Sequence, residues 1–169
     1  NAVTIGVTRT DVVKAIFPIS AKTYWFASVY MGLLVLMPFV SMVAARMTRR
    51  QYQYLLGALT LFLSVNHMIF RVDTYGTFSG RELPWFIYLT LLAGYVKLHT
   101  KEDRRYAWYG FAGYVVSSLT VLAGVYLSVK THQEDIGYFL NYNSPLALLG
   151  TLALFVCVRN LPWKESKLD

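Results

Sequence analysis

Hydrophobic residues make up 56% of the 169-residue chain and charged residues 15%, against about 45–50% and 25% in ordinary soluble domains. The charges are clustered and leave long stretches without Asp, Glu, Lys or Arg, which a water-soluble fold does not use but hydrocarbon demands, because lipid offers no partner to an unpaired backbone group. The net charge of +7 calls for no nucleic-acid partner, since topology and anionic lipid both place basic loops beside apolar spans.

The chain begins at Asn1 and is expected to be processed or cut from something longer. Residues 1–23 mix Arg9, Asp11 and Lys14 with short apolar runs, lack the order of a secretory signal, and are read as a loop. Five spans follow. The first, about residues 24–45, is charge-free and carries Pro38, which should kink it. The second, about 53–70, ends before Arg71 and Asp73 and bears Asn66 and His67 near that end. The third, about 84–98, is short for a crossing of about 30 Å at about 1.5 Å per residue, so Lys97 must snorkel or the bilayer must thin. The fourth, about 106–129, has Gly113 and Ser117 spaced to form a close-packing face. The fifth, about 145–161, opens on Ser144-Pro145, where serine caps the free N–H groups and proline suits the first turn. The expected fold is therefore an all-α integral membrane bundle of about five transmembrane helices. Cys157, the single cysteine, lies in the last apolar run, is read as a small buried hydrophobe and rules out an intrachain disulfide.

Basic residues give the orientation, because cytoplasmic loops hold more of them. Arg46, Arg49, Arg50, Lys97, Lys101, Arg104, Arg105, Arg159, Lys164 and Lys167 fall on one side, ten in all, and six fall on the other. The N-terminal end is thus expected outside and the C-terminal end in the cytoplasm. Tyr24, Trp25 and Tyr30, with Trp85, Phe86 and Tyr88, mark outer ends, and Tyr106, Trp108 and Tyr109 an inner one. Interfacial belts have this composition. Aromatic faces also stack on sugar rings, and the outer loops are rich in the hydrogen-bonding Tyr, Asn and Ser.

No phosphate loop, nucleophile elbow or metal-ligand spacing is present, and no metal is expected. His67 is the one histidine near a span's interior, where an ionisable group marks either a functional site or a helix-packing contact. The run Glu102-Asp103-Arg104-Arg105 is either a solvated loop or a contact for a phosphorylated donor.

Pro18-Ile19-Ser20, Tyr24-Trp25-Phe26, Tyr30, Pro38-Phe39 and the basic turn from Arg46 to Arg50 occur in an order that resembles the middle of the membrane acyltransferase type 3 family. Trp85-Phe86 leading to Gly94-Tyr95 and Lys97 resembles the family's following helix, and Tyr142-Asn143-Ser144-Pro145 resembles the start of a late one. The likeness runs from about Ile16 onward. It implies a single partial domain over residues 1–169, about the second half of a ten-helix bacterial cytoplasmic-membrane enzyme. Such an enzyme moves an acyl group, usually acetyl from cytoplasmic acetyl-CoA, to a hydroxyl of an extracytoplasmic glycan. The family's best-known catalytic Arg and His lie in a first helix that has no counterpart here. By this likeness the catalytic base is absent, apart from the weak candidate His67, and the chain is expected to be inactive without the missing N-terminal helices.

Acceptor binding is assigned to Tyr24, Trp25, Asn141, Tyr142 and Ser144, and donor binding to Lys97 and Arg104. Belt and capping duties compete for the same residues. The expected partners are the bilayer, a carbohydrate acceptor and the rest of the same protein. The alternative is an exporter of a glycan or lipid-linked substrate, with Asn66 and His67 along its path.

Overall fold

The computed structural model describes residues 25–70, 80–131 and 137–162, and every regular element among them is a helix. They are α1 (Trp25–Arg46), α2 (Arg49–Phe70), α3 (Leu83–His99), α4 (Arg104–Lys130), the single turn α5 (Gly137–Leu140) and α6 (Pro145–Arg159). α1 runs unbroken through Pro38, whose missing N–H leaves the Leu34 carbonyl without its helical partner. α2 starts four residues before the charge-free run at residue 53, because Thr48 and Gln51 form a reciprocal capping box. Asp103 caps α4 by accepting from the Arg105 N–H at 2.9 Å, and Ser144 caps α6 by accepting from the Ala147 N–H at 3.1 Å.

By length and composition α1, α2 and α4 are each long and apolar enough to cross a membrane. α3 and α6, with 17 and 15 residues, span only about 26 and 22 Å. Sequence patterning thus points to five crossings, and three of these helices meet the length requirement. The helices alternate in direction. The starts of α1, α3 and α6 share one end with the finishes of α2 and α4, here called the Trp25 end; the opposite is the Arg159 end.

The core lies between α2 and α3, where Tyr52, Leu56 and Leu63 pack against Trp85, Tyr88 and Leu91, with Leu148 of α6. Buried phenols need partners. Tyr52 donates to the Leu91 carbonyl at 2.8 Å. Thr60 gives its one proton to the Leu56 carbonyl at 2.7 Å, so Tyr88 is the donor in its 2.7 Å bond to the Thr60 hydroxyl.

α4 and α6 form the second layer along a seam of small residues. Gly110 brings the backbones together, Gly113 faces Ala153, and the Ser117 hydroxyl donates to the Leu146 carbonyl at 2.5 Å. The face anticipated from Gly113 and Ser117 is this seam, with Gly110 as its closest point. Cys157 is buried beside Gly110. At the Arg159 end, Arg159 reaches the finish of α3: its guanidinium donates to the Val96 carbonyl at 2.6 Å, the Thr100 hydroxyl at 2.7 Å and the Thr100 carbonyl at 3.1 Å. The last turn of α3 is thereby tied to α6, the Thr100 carbonyl beyond the helix end gaining a donor from another helix.

Candidate functional site

Three segments distant in sequence meet at the Trp25 end. Helix α1 opens with Trp25 and Phe26, Phe86 sits in the first turn of α3, and Tyr142 lies just before α6. Their rings pack edge-on or tilted: Trp25–Phe26 at 5.8 Å between centroids, Phe26–Phe86 at 5.9 Å, Trp25–Phe86 at 6.4 Å and Trp25–Tyr142 at 6.4 Å. Gly80, Trp85, Leu89, Ala147 and Thr151 complete a cup of about 350 Å³. Such a volume suits a small ligand, and its walls offer aromatic faces with few polar groups.

Backbone geometry fixes the cup's mouth. Gly80 has φ +86°, and a Cβ there would lie 2.7 Å from the Tyr142 Cβ and 2.8 Å from the Asn143 nitrogen, so only glycine lets the segment before α3 close on the 141–144 loop. That loop is pinned from beneath by a π-helical turn in α2, Leu61–Val65. Ser64 donates to the Asn143 carbonyl at 2.7 Å, and the Asn143 side-chain amide donates to the Leu63 carbonyl at 3.4 Å. Wide turns of this kind often accompany functional sites.

Arg81 lies beside two of the rings that line the cup. Its guanidinium carbon stands 6.0 Å from the Trp25 ring centre and 5.8 Å from that of Tyr142, within cation–π reach of both.

A second hollow, of about 800 Å³, opens toward the Arg159 end between α1, α3 and α6. Its walls include Met37, Val40, Ala44, Leu91 and Phe155, and Lys97, Glu102 and Arg159 sit at its mouth. The two hollows share helix faces. On α3, Phe86 lines the cup while Thr90, Ala93, Gly94 and Lys97 line the groove; on α6, Ala147 and Thr151 line the cup while Phe155 and Val158 line the groove. Spacings of three and four residues place each set on one side of its helix. Cup and groove thus lie along the same faces of α3 and α6, one toward each end.

The residues singled out from the sequence divide accordingly. Trp25 and Tyr142 meet in the cup. Ser144 is engaged as the α6 cap, and Asn141 lies half-buried in the same loop, its carbonyl accepting from the Ser144 N–H at 3.0 Å. Lys97 is at the groove, whereas Arg104 lines a separate hollow with Trp108, Phe111 and Leu161, so the two donor-side candidates do not share a site. Tyr24 and the His67 side chain lie outside the described residues, as does the 1–23 loop.

The chain matches no protein-family model, no curated protein and no solved structure.

Phe26, Phe86, Gly80 and Arg81 are the site residues that patterning does not single out. The first two pass for interfacial aromatics, and Arg81 for one loop charge among six. Their meeting depends on contacts across about 60 residues of chain, which no local spacing encodes. The glycine preceding Arg81 was the one available signal, since a turn that needs positive φ brings its neighbours close to other backbone.

Proposed function

We propose that the chain is the acceptor- and donor-positioning part of an integral membrane O-acyltransferase. In this reading the Trp25 end faces outside, the Arg159 end faces the bacterial cytoplasm, and all five long helices lie in the bilayer. An extracytoplasmic glycan stacks in the cup on Trp25 and Tyr142. The thioester arm of acetyl-CoA or another acyl-CoA lies in the groove, with its phosphates toward Lys97. The observation that supports the reading is the pair of hollows toward the two ends of α3, lined by the same faces of α3 and α6, one for each substrate of a reaction that joins the two sides of a membrane.

The chemistry asks for a nucleophilic sugar hydroxyl, a base to take its proton, donors for the tetrahedral oxyanion and a thiolate leaving group. Holding the two substrates in line supplies several kcal/mol of the barrier reduction. The walls of the cup and the groove are suited to that positioning. The base and oxyanion donors fall to the family's Arg- and His-bearing helix.

The test is transfer of labelled acetyl. The complete protein containing these residues, reconstituted in vesicles with labelled acetyl-CoA on the Lys97 side, is expected to label a cell-envelope glycan on the other. Trp25→Ala should lower that transfer about five- to tenfold, the loss of one stacking ring, without lowering expression. Substrate counterflow across the vesicle with no label transfer would replace this reading by the exporter.

A further inference from the structure

Arg81 lies against two aromatic rings of the cup. Arg159 spends its guanidinium on helix carbonyls and on Glu102 at 3.5 Å, and Arg49 approaches the Tyr95 hydroxyl at 3.5 Å. Arg81, by contrast, has two ring contacts and no hydrogen bond or ion pair among the described residues. The two aromatic neighbours are themselves walls of the cup. Cation–π contact at these distances draws the guanidinium toward the rings and leaves its N–H donors unspent. Five N–H donors in a planar fork match a carboxylate or phosphate, two oxygens at a time.

A neutral sugar needs no such group. Stacking on Trp25 and Tyr142 together with hydroxyl–hydroxyl bonds would hold it, and an unpaired cation at the rim would add little. A sugar bearing a carboxylate places a planar two-oxygen anion at the edge of a ring that is already stacked, within reach of an arginine beside the same aromatics. Tyr142 and Trp25 then read the ring and Arg81 reads the charge.

Resting on the acceptor reading of the cup, we infer that the acceptor is an acidic glycan, whose carboxylate is held by Arg81 beside the ring stacked on Trp25 and Tyr142.

The experiment measures calorimetric binding by the complete protein in nanodiscs of zwitterionic lipid. The probes are a uronic-acid trisaccharide and the same trisaccharide with its carboxyls reduced to alcohols. The acidic form should bind about tenfold more tightly, the effect of one charge-assisted pair, and the preference should fall with added salt. Arg81→Gln should bring the two affinities together by weakening the acidic form alone, and Arg81→Lys should keep part of the preference. Equal binding of both forms, or a preference that survives Arg81→Gln, overturns the inference while leaving the acceptor cup standing. No binding of either form overturns the cup reading and the inference with it. In nanodiscs containing phosphatidylglycerol the preference should persist; its loss there would assign Arg81 to lipid headgroups and overturn the inference.

Discussion

A methyl group at Gly110 would sit 2.6 Å from both the Ala153 carbonyl oxygen and the Cys157 nitrogen, whereas one at Gly113 would meet only the Ala153 Cβ at 3.3 Å. Backbone atoms cannot turn aside, so the first substitution must push α4 and α6 apart, while the second needs a shift of a few tenths of an ångström. Gly110→Ala is therefore expected to destabilise the α4–α6 pair by about 1–3 kcal/mol and Gly113→Ala by clearly less, read as thermal unfolding in detergent. Equal effects would mean that the seam is looser than described. Sequence spacing pointed to this face through Gly113 and Ser117 yet passed over Gly110, since which glycine meets backbone is decided by the partner helix. The same holds in the cup. Trp25 and Tyr142 were legible because an aromatic beside hydrogen-bonding loop residues is a local pattern. Arg81 was not, because its neighbours come from elsewhere in the chain.

Helix boundaries depend on caps more than on where charges stop. Thr48 and Gln51 carry α2 back to Arg49 past two arginines, and both residues were in view in the sequence. Ser144-Pro145 was legible as a start for the same physical reason, a hydroxyl for an orphan N–H and a ring that needs none. The π-helical turn had no such mark: Leu61–Val65 contains ordinary helix-compatible residues, and its anchor, Asn143, lies about 80 positions away. The finish of α3 is another long-range device, held by Arg159 from α6. A lysine has its three donors on one nitrogen and cannot span acceptors that Arg159 reaches from two separate guanidinium nitrogens. Arg159→Lys should cost about 1–3 kcal/mol and speed amide exchange in the last turn of α3 more than in its first. Unchanged protection in that turn would show that Thr100 and water cap the helix unaided.

At the scale of the molecule, the middle of α4 turns Val116, Leu119 and Leu122 outward, and α1 does so with Leu34, Val35 and Phe39. In water so large an apolar surface would drive association; in lipid it is the ordinary exterior of a spanning helix. The outward faces and the charge-free runs are one property seen twice, which is why helical membrane character was the most legible part of the fold. The number of crossings was less so, because α3 and α6 are too short to span alone and patterning registers apolarity ahead of reach. α6 packs on α4, and α3 on α1 and α2, with polar ends tied by Arg159 and by the 141–144 loop, and both contribute walls to the cup and the groove.

In the proposed function the cup and the groove face opposite sides of one bilayer, and impermeant maleimide labelling tests that directly. In a Cys157→Ala background, Arg81→Cys and Lys101→Cys each place one thiol at an exposed position, at the Trp25 and Arg159 ends respectively. In intact cells the Arg81→Cys protein should label at once, and the Lys101→Cys protein only after the membrane is opened. Labelling of both from the same side without permeabilisation would contradict the placement of the two hollows on opposite sides of the membrane.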